Sequence, residues 1–326
     1  MKKKLLSGLI VMVLAVSMTA CGGNTASSGD LKNVGVIQLV EHVALDATYE
    51  GFIEGLKEGG YEEGKNIKID FNNAQGDQPT CVTIASKLVN AKSDIIFAIA
   101  TPAAQAVASK TTDIPIVISA VTDPVSAELI DSNEVPGTNV TGTSDLTPVA
   151  EQIKLLMQLA PETEKVAILY NSSETNSEFQ AELAKEVLDE LGIEHINATI
   201  SNTNELQSVV QSLVGKVDAI YSPTDNLIAN GIATVAAITT ENKIPFIVGE
   251  GGMVGGGALA TYGINYFTLG KQTGIMAAKI LNGEAEPATM PIEYNEEATL
   301  IINKAVAEAI GIIIPSEIEN EAVFVE

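Results

Sequence analysis

The amino-acid sequence predicts an α/β fold of two successive units, each a parallel sheet covered by helices on both faces. Three observations lead there: apolar strand-like runs alternate with helix-like segments from residue 34 onward, the alternation restarts near residue 149, and the loops after the strands are polar. Continuous apolar strands are those of a sheet buried on both sides.

The run Val34-Gly35-Val36-Ile37-Gln38-Leu39 is the first strand, and Leu45, Tyr49, Phe52, Ile53 and Leu56 then recur at helical spacing up to Gly59-Gly60. Further strands are expected at 66–71, 94–100 and 114–119, with helices near 80–90 and 102–109. In the second unit, Val149, Ile153, Leu156 and Leu159 mark a helix, 165–170 a strand, and Phe179, Leu183, Val187 and Leu191 a helix. Strands at 195–200, 218–222 and 244–248 follow, with helices over 206–214 and 227–240 between them. The glycine-rich stretch 251–257 lacks the Lys-Ser/Thr ending of a phosphate loop and reads as a mobile turn. The acidic stretches 293–297 and 317–326 read as solvated faces and a tail, because neither has the alternating ligands and central glycine of a calcium loop.

The chain begins with Lys2, Lys3 and Lys4, an apolar run over 5–18, and the small residues Thr19 and Ala20 before Cys21. A basic start, a short apolar core and a small-residue cleavage site make 1–20 an export signal, too short for a comfortable bilayer span. Cys21 after Met-Thr-Ala resembles a bacterial lipobox, in which that thiol carries lipid. Residues 21–33, small and polar, read as a flexible tether. The body is thus expected outside the cytoplasm, lipid-anchored to the outer face of the cell membrane.

Loss of residues 1–20 removes three lysines and no acid, taking the net charge from −24 to −27. So acidic a body excludes a nucleic-acid partner, which demands clustered cations. All 18 basic residues are lysine, so an anionic ligand group must be met by lysine, hydroxyls or backbone N–H groups. Cys81, the only cysteine besides Cys21, reads as a small core residue. A secreted enzyme is disfavoured: His42 and His195 lie far apart, and no His-Glu-x-x-His, paired-cysteine zinc spacing or Gly-x-Ser-x-Gly occurs. No catalytic residue, metal or cofactor is expected.

In open α/β sheets the ligand crevice lies at the carboxyl ends of the strands. The residues there are Gln38-Leu39-Val40-Glu41-His42, Thr101-Pro102, Ala120-Val121-Thr122-Asp123-Pro124, Asn171-Ser172-Ser173-Glu174, Pro223-Thr224-Asp225-Asn226 and Gly249-Glu250-Gly251-Gly252. Thr101, Asp123, Ser172 and Asp225 could equally be helix N-caps, a role compatible with ligand binding because both use the same orphan N–H groups.

Together with His42 to Asp46, Thr101-Pro102-Ala103-Ala104-Gln105, Val121-Thr122-Asp123-Pro124-Val125, Gly142-Thr143-Ser144-Asp145 and Gly263-Ile264-Asn265-Tyr266-Phe267-Thr268-Leu269-Gly270, these segments resemble the ABC-transporter substrate-binding lipoprotein family. That family has the type I periplasmic-binding-protein fold and includes bacterial tryptophan and tyrosine binders; the resemblance spans the mature chain in order. Val43 departs from it, since relatives often carry proline after the histidine. The resemblance implies two Rossmann-like lobes joined by a three-segment hinge, with lobe one at 34–143 plus 264–287 and lobe two at 144–263 plus 288–326. A helix carrying Leu269, Thr273, Met276 and Ile280 would return to lobe one. It further implies a monomer that closes over a small molecule and is recognised, closed, by an ABC permease with its ATPase.

An amino acid, with an aromatic one favoured by the resemblance, would need acceptors for its ammonium, from Asp225, Asp123 and Glu250. Its carboxylate would need donors, from Thr101, Thr122, Thr143, Ser172 and backbone N–H groups. Gln38, His42, Asn171 and Asn226 complete the polar candidates, and Tyr266, with Tyr262, Phe267 and Tyr221, could offer π surface. The same fold binding a sugar, nucleoside or purine, or serving as a ligand-sensor subunit, are the alternatives; the absence of tryptophan and arginine disfavours sugars.

Overall fold

The computed structural model describes residues 31–325 apart from Glu296. The export signal, Cys21 and the tether up to Asp30 lie outside the described residues. Among those described, no helix is long and apolar enough to cross a membrane.

Two sheets organise the chain. The first contains β1 (Lys32–Gln38), β2 (Ile67–Asn73), β3 (Ile95–Ile99), β4 (Ile116–Val121), β5 (Val140–Ser144) and β11 (Glu293–Tyr294), in the order β11-β5-β4-β3-β1-β2. The second contains β6 (Lys165–Asn171), β7 (Glu194–Ile200), β8 (Ala219–Ser222), β9 (Phe246–Val248), β10 (Ala260–Gly263), β12 (Thr299–Asn303) and β13 (Val323–Val325), in the order β13-β12-β10-β9-β8-β6-β7. Neighbouring strands are parallel throughout except β10 and β12. Five strands of each sheet therefore share a 2-1-3-4-5 order, whose reversal points, β1/β3 and β6/β8, are where such sheets open a ligand crevice.

Around the first sheet lie α1 (Val43–Glu58), α2 (Gln78–Asn90), α3 (Thr101–Ala108) and α10 (Tyr266–Leu281). The second carries α4 (Val149–Leu159), α5 (Thr175–Leu191), α6 (Leu206–Leu213), α7 (Asn226–Asn230), α8 (Ile232–Glu241), α9 (Gly251–Gly255), α11 (Lys304–Ile310) and α12 (Ser316–Glu321). Parallel strands need crossover connections, and the alternation of apolar strand and amphipathic helix supplies them. Cys81 is fully buried in α2, and burial pushes its thiol up to about 12, so it is an inert core residue.

The structure differs from the sequence expectation in several places: β10, β12 and α11 were not expected, and β1 starts at Lys32, inside the segment read as a tether. β5 was not expected: three of its five residues, Thr141, Thr143 and Ser144, are polar, yet all five are buried because Thr141 donates to the Met290 carbonyl and Thr143 bonds Ser119 and Thr273. The helix expected over 227–240 is two helices broken at Gly231. The glycine stretch expected as a turn holds α9, capped by Glu250. The acidic tail contains α12 and then β13, whose Val323–Val325 pair with β12. Finally, Glu293 and Tyr294, expected in the second lobe, pair with Thr143 and Ser144 in the first sheet. The chain thus passes between the sheets three times, after Ser144, Gly263 and Tyr294.

Two glycine pairs, each spaced by four residues, bring α1 and α10 together. A Cβ at Gly51 would lie 2.0 Å from the Phe267 carbonyl oxygen, and one at Gly55 would lie 2.1 Å from that of Lys271. Gly270 and Gly274 answer from the other side, at 2.0 Å from the Thr48 oxygen and 2.3 Å from the Phe52 oxygen. Backbone here packs on backbone, with no flexible side chain to yield. Gly55→Val is expected to lower the unfolding free energy by about 3 kcal/mol, the upper range for overpacking; an unchanged urea midpoint would show that the two helices tolerate separation.

Candidate ligand site between the two sheets

The carboxyl ends of both sheets face one another, and the loops beyond them line a narrow cavity with only about 10 Å³ of free space, so its walls are drawn closely together. Its lining comes from both sides: His42, Leu45, Ala120, Thr122, Asp145 and Tyr266 from the first sheet and its crossovers, and Asn176, Thr224, Asp225, Asn226, Ala229 and Glu250 from the second. Each polar residue sits directly after a strand or at the start of a helix: His42 after β1, Thr122 after β4, Asp145 after β5, Thr224 and Asp225 after β8, Glu250 after β9. Ala100 and Ala120, at the ends of β3 and β4, hold positive φ values of 82° and 54°, an unusual conformation for residues with a Cβ. The second lies where β4 slips register against β5. Such strain, about 1–3 kcal/mol per residue, is typical of binding sites.

Four carboxylates are buried here. Asp145 accepts from the Tyr266 hydroxyl at 2.7 Å and the Thr122 hydroxyl at 3.0 Å. Asp225 is the N-cap of α7, accepting from Leu227 N at 3.1 Å and Ile228 N at 2.9 Å, while its second oxygen accepts from Asn171 N at 2.6 Å. Glu250 caps α9 through Gly252 N and Met253 N. Glu174, just behind the cavity wall, accepts from Asn171 Nδ2 at 2.9 Å and Asn226 Nδ2 at 2.6 Å. No lysine lines the cavity, and among the described residues none of the four forms an ion pair.

Burial without a cation raises all four. Glu250 is pushed from 4.5 to about 7, by burial first and by the charge of Asp145 second. Glu174 is likewise pushed to about 7, by burial and then by Asp225. Asp145 and Asp225 are raised by burial, against the pull of their hydrogen-bond donors. His42 is held below its usual value, again by burial, so its imidazole is neutral at pH 7.

Of the twelve residues singled out from the sequence, the cavity brings together His42, Thr122, Asp225, Asn226, Glu250 and Tyr266. Asn171 lines a neighbouring, more open cleft with Glu174 and Asn226, beside Pro102. Thr101, adjacent to Pro102, is buried with no hydrogen-bond partner for its hydroxyl. Gln38 is turned onto Val40 O and Asp46, and Thr143 lies within the hydroxyl ladder of β5. Asp123 caps Ser126 N, and Ser172 is exposed. Among the aromatic candidates, Tyr221 is a core residue bonded to Gln152, Tyr262 packs against the second core, and Phe267 is exposed. Asp145, Glu174 and Thr224 fall in the strand-end or family segments but not among the candidate ligand residues, and Asn176 and Gln180 in neither; Gln180 is wholly buried in α5, and its amide donates to Thr224 Oγ1 at 2.6 Å. A polar residue fully buried in an otherwise amphipathic helix is the signal that marks it, and burial is not visible in sequence.

A doubly sheeted α/β body whose facing strand ends enclose a polar cavity defines a solute-binding protein. The model of the family described as ABC transporter substrate binding protein matches residues 33–325, and the chain belongs to that family, with the type I periplasmic-binding-protein fold. It is 43% identical over 319 residues to the tyrosine-binding protein of Clostridioides difficile (strain R20291), covering 94% of this chain and 92% of that one. It is 39% identical to a Streptococcus pneumonia ABC domain solved in complex with L-Trp, with a TM-score of 0.88, covering 91% of this chain and all of the other. A ligand-free, open structure of a substrate-binding protein with adhesive properties from Clostridium difficile is 47% identical, covering 91% of this chain and 99% of the other, yet its TM-score is only 0.69. The chain thus superposes better on the L-Trp complex than on the ligand-free, open structure.

The raised carboxyls carry a pH signature. Between 4.5 and 7 the folded protein retains a proton on Glu250 that the unfolded chain has released, so stability falls as pH rises through that window. The loss is on the order of 3 kcal/mol. Urea unfolding of the ligand-free protein at pH 5 and pH 8 is expected to show this fall, and Glu250→Gln to lessen it while the part due to Glu174 remains; equal slopes in the two proteins would mean that Glu250 titrates normally.

Proposed function

We propose that this protein captures an aromatic L-amino acid outside the cytoplasm and, with its lobes closed, presents it to an ABC permease and its ATPase. The observation that carries the reading is the convergence of Asp145, Asp225 and Glu250 on one enclosed cavity without a lysine. Burial holds these carboxyls back from ionisation, and a cationic partner such as a ligand ammonium would restore their charge. Thr122, Thr224 and the start of α7 would face the ligand carboxylate without need of arginine. Leu45, Ala120, Ala229 and the ring of Tyr266 offer apolar surface for the side chain. The tyrosine-binding relative and the L-Trp complex support an aromatic cargo.

The ligand-binding residues of this reading are His42, Thr122, Asp145, Asn176, Thr224, Asp225, Asn226, Glu250 and Tyr266. Bending at the three crossovers would open the cavity by breaking the contacts between lobes, among them His42 with Asn226 at 3.3 Å and Gln78 with the Ser173 carbonyl at 3.0 Å. The body works as a monomer held by lipid at Cys21.

L-Tyrosine, L-tryptophan or L-phenylalanine at a hundred times its dissociation constant is expected to stabilise the protein by about 2.7 kcal/mol. The deaminated acid 3-(4-hydroxyphenyl)propionate and a panel of monosaccharides are expected to leave the melting temperature unchanged. Stabilisation by a monosaccharide or nucleoside, with none from the aromatic amino acids, would overturn the cargo. Cys21→Ser is expected to move the protein from the membrane fraction into the soluble fraction, and its retention on membranes would refute the anchor.

A further inference from the structure

Two polar atoms in the cavity wall have no partner within the protein, and a chain of hydrogen bonds behind the wall determines what one of them can do. Glu174 accepts from Asn226 Nδ2 at 2.6 Å through one oxygen and from Asn171 Nδ2 at 2.9 Å through the other, so both of its oxygens face amide donors. Asn226 must therefore turn its amino group to Glu174 and its carbonyl oxygen the other way. That oxygen lies 3.3 Å from His42 Nε2. A carbonyl oxygen only accepts, so Nε2 carries the hydrogen. A neutral imidazole has a single N–H, which leaves His42 Nδ1 as a bare lone pair, buried and unpartnered.

The second atom is Asn176 Oδ1. Asn176 is 5% exposed, its amino group is spent on the Thr224 carbonyl at 3.2 Å and on Ser177 Oγ at 3.3 Å, and its oxygen is unpartnered. His42 and Asn176 line the same cavity, one from each sheet. Both atoms accept and neither can donate. We propose that Glu174, acting through Asn226, fixes the Nε2–H tautomer of His42, so that His42 Nδ1 and Asn176 Oδ1 jointly receive N–H bonds from the ligand's ammonium and tie the lobes together through it.

Glu174 is a positioning residue in this scheme and does not touch the ligand. Glu41 beside it in the chain, Asp46 on α1, Asp145 after β5, Glu250 at the start of α9 and Asp225 after β8 are charged groups around His42, and none of them bonds either ring nitrogen. A donor of one hydrogen would satisfy one lobe only; an ammonium, with three, can satisfy both. The inference rests on the amino-acid reading of the site for its ligand half, whereas the tautomer half concerns the protein alone.

The chain has only two histidines, so long-range 1H–15N NMR of the full 15N-labelled chain reads His42 directly, with His195→Gln assigning the second set. Without ligand, His42 is expected as the neutral Nε2–H form. Glu174→Gln can offer only one acceptor to Asn171 and Asn226, so it is expected to admit the Nδ1–H form and to weaken L-tyrosine binding at least tenfold. Addition of L-tyrosine to the wild type is expected to move the Nδ1 resonance. A ligand-free wild type in the Nδ1–H form would overturn the proposal, and that spectrum decides the tautomer even if Glu174→Gln does not fold. The Nε2–H form together with no response to any aromatic amino acid would instead sink the cargo reading and the ligand half with it.

Discussion

Charge taken out of water must be matched or given up, and the centre of this molecule is built around four acids that no lysine reaches. Asp145, Asp225 and Glu250 face the cavity and Glu174 stands behind it; each is held by hydroxyl, amide or backbone donors that favour the ionised form, while burial opposes it. Hydrogen bonds lower the cost of such a charge without cancelling it. The arrangement leaves a cavity of carboxyls held back from full ionisation, whose natural complement is a small cation. The chemistry of the cargo is in this sense written as a deficit in the protein.

Such a deficit persists only if the scaffold holds the acids in place. The common 2-1-3-4-5 order points both sets of strand ends at one crevice, and nearly every polar wall residue sits in the first turn after a strand. Two of the acids also cap helices: Asp225 ties β6 to α7, and Glu250 turns a glycine-rich stretch into α9. Site and fold share the same atoms there. On the far side of the first lobe, the glycine seam between α1 and α10 fixes the helix whose first residue, Tyr266, donates to Asp145.

Much of this was legible in the sequence because it depends on local pattern. Apolar runs and helical spacing located most strands and helices; the strand-end rule pointed to His42, Thr122, Asp225, Asn226 and Glu250, and the family resemblance to Tyr266, all of which line the cavity. The failures share a cause: they depend on pairings far apart in sequence. β5 is polar in sequence and buried in space, since Thr143 meets Ser119 and Thr273. Missing that strand hid Asp145 as a strand-end residue. Glu174, Asn176 and Gln180 lie in or beside a helix start where polar residues are unremarkable; only the folded chain shows that they face Asn226 and Thr224. The α1/α10 seam was likewise hidden, because glycines four apart signal close packing only once their partners are known.

Apart from Gln78, which donates to the Ser173 carbonyl at 3.0 Å, the side-chain hydrogen bonds between the lobes are long. His42 meets Asn226 at 3.3 Å, Thr122 meets Thr224 at 3.5 Å, and Gln105 meets Thr175 at 3.3 Å; all are neutral and near the long limit of a hydrogen bond. A net contribution of about 1 kcal/mol each is the most such bonds supply, and the mutual repulsion of the cavity acids works against it. Closure that depended on these contacts alone would be shallow. A bound cation removes the repulsion and adds bonds to both lobes at once, so it stabilises the closed arrangement by its differential affinity for that state. The weakness of the direct contacts is what leaves the ligand in control of closure.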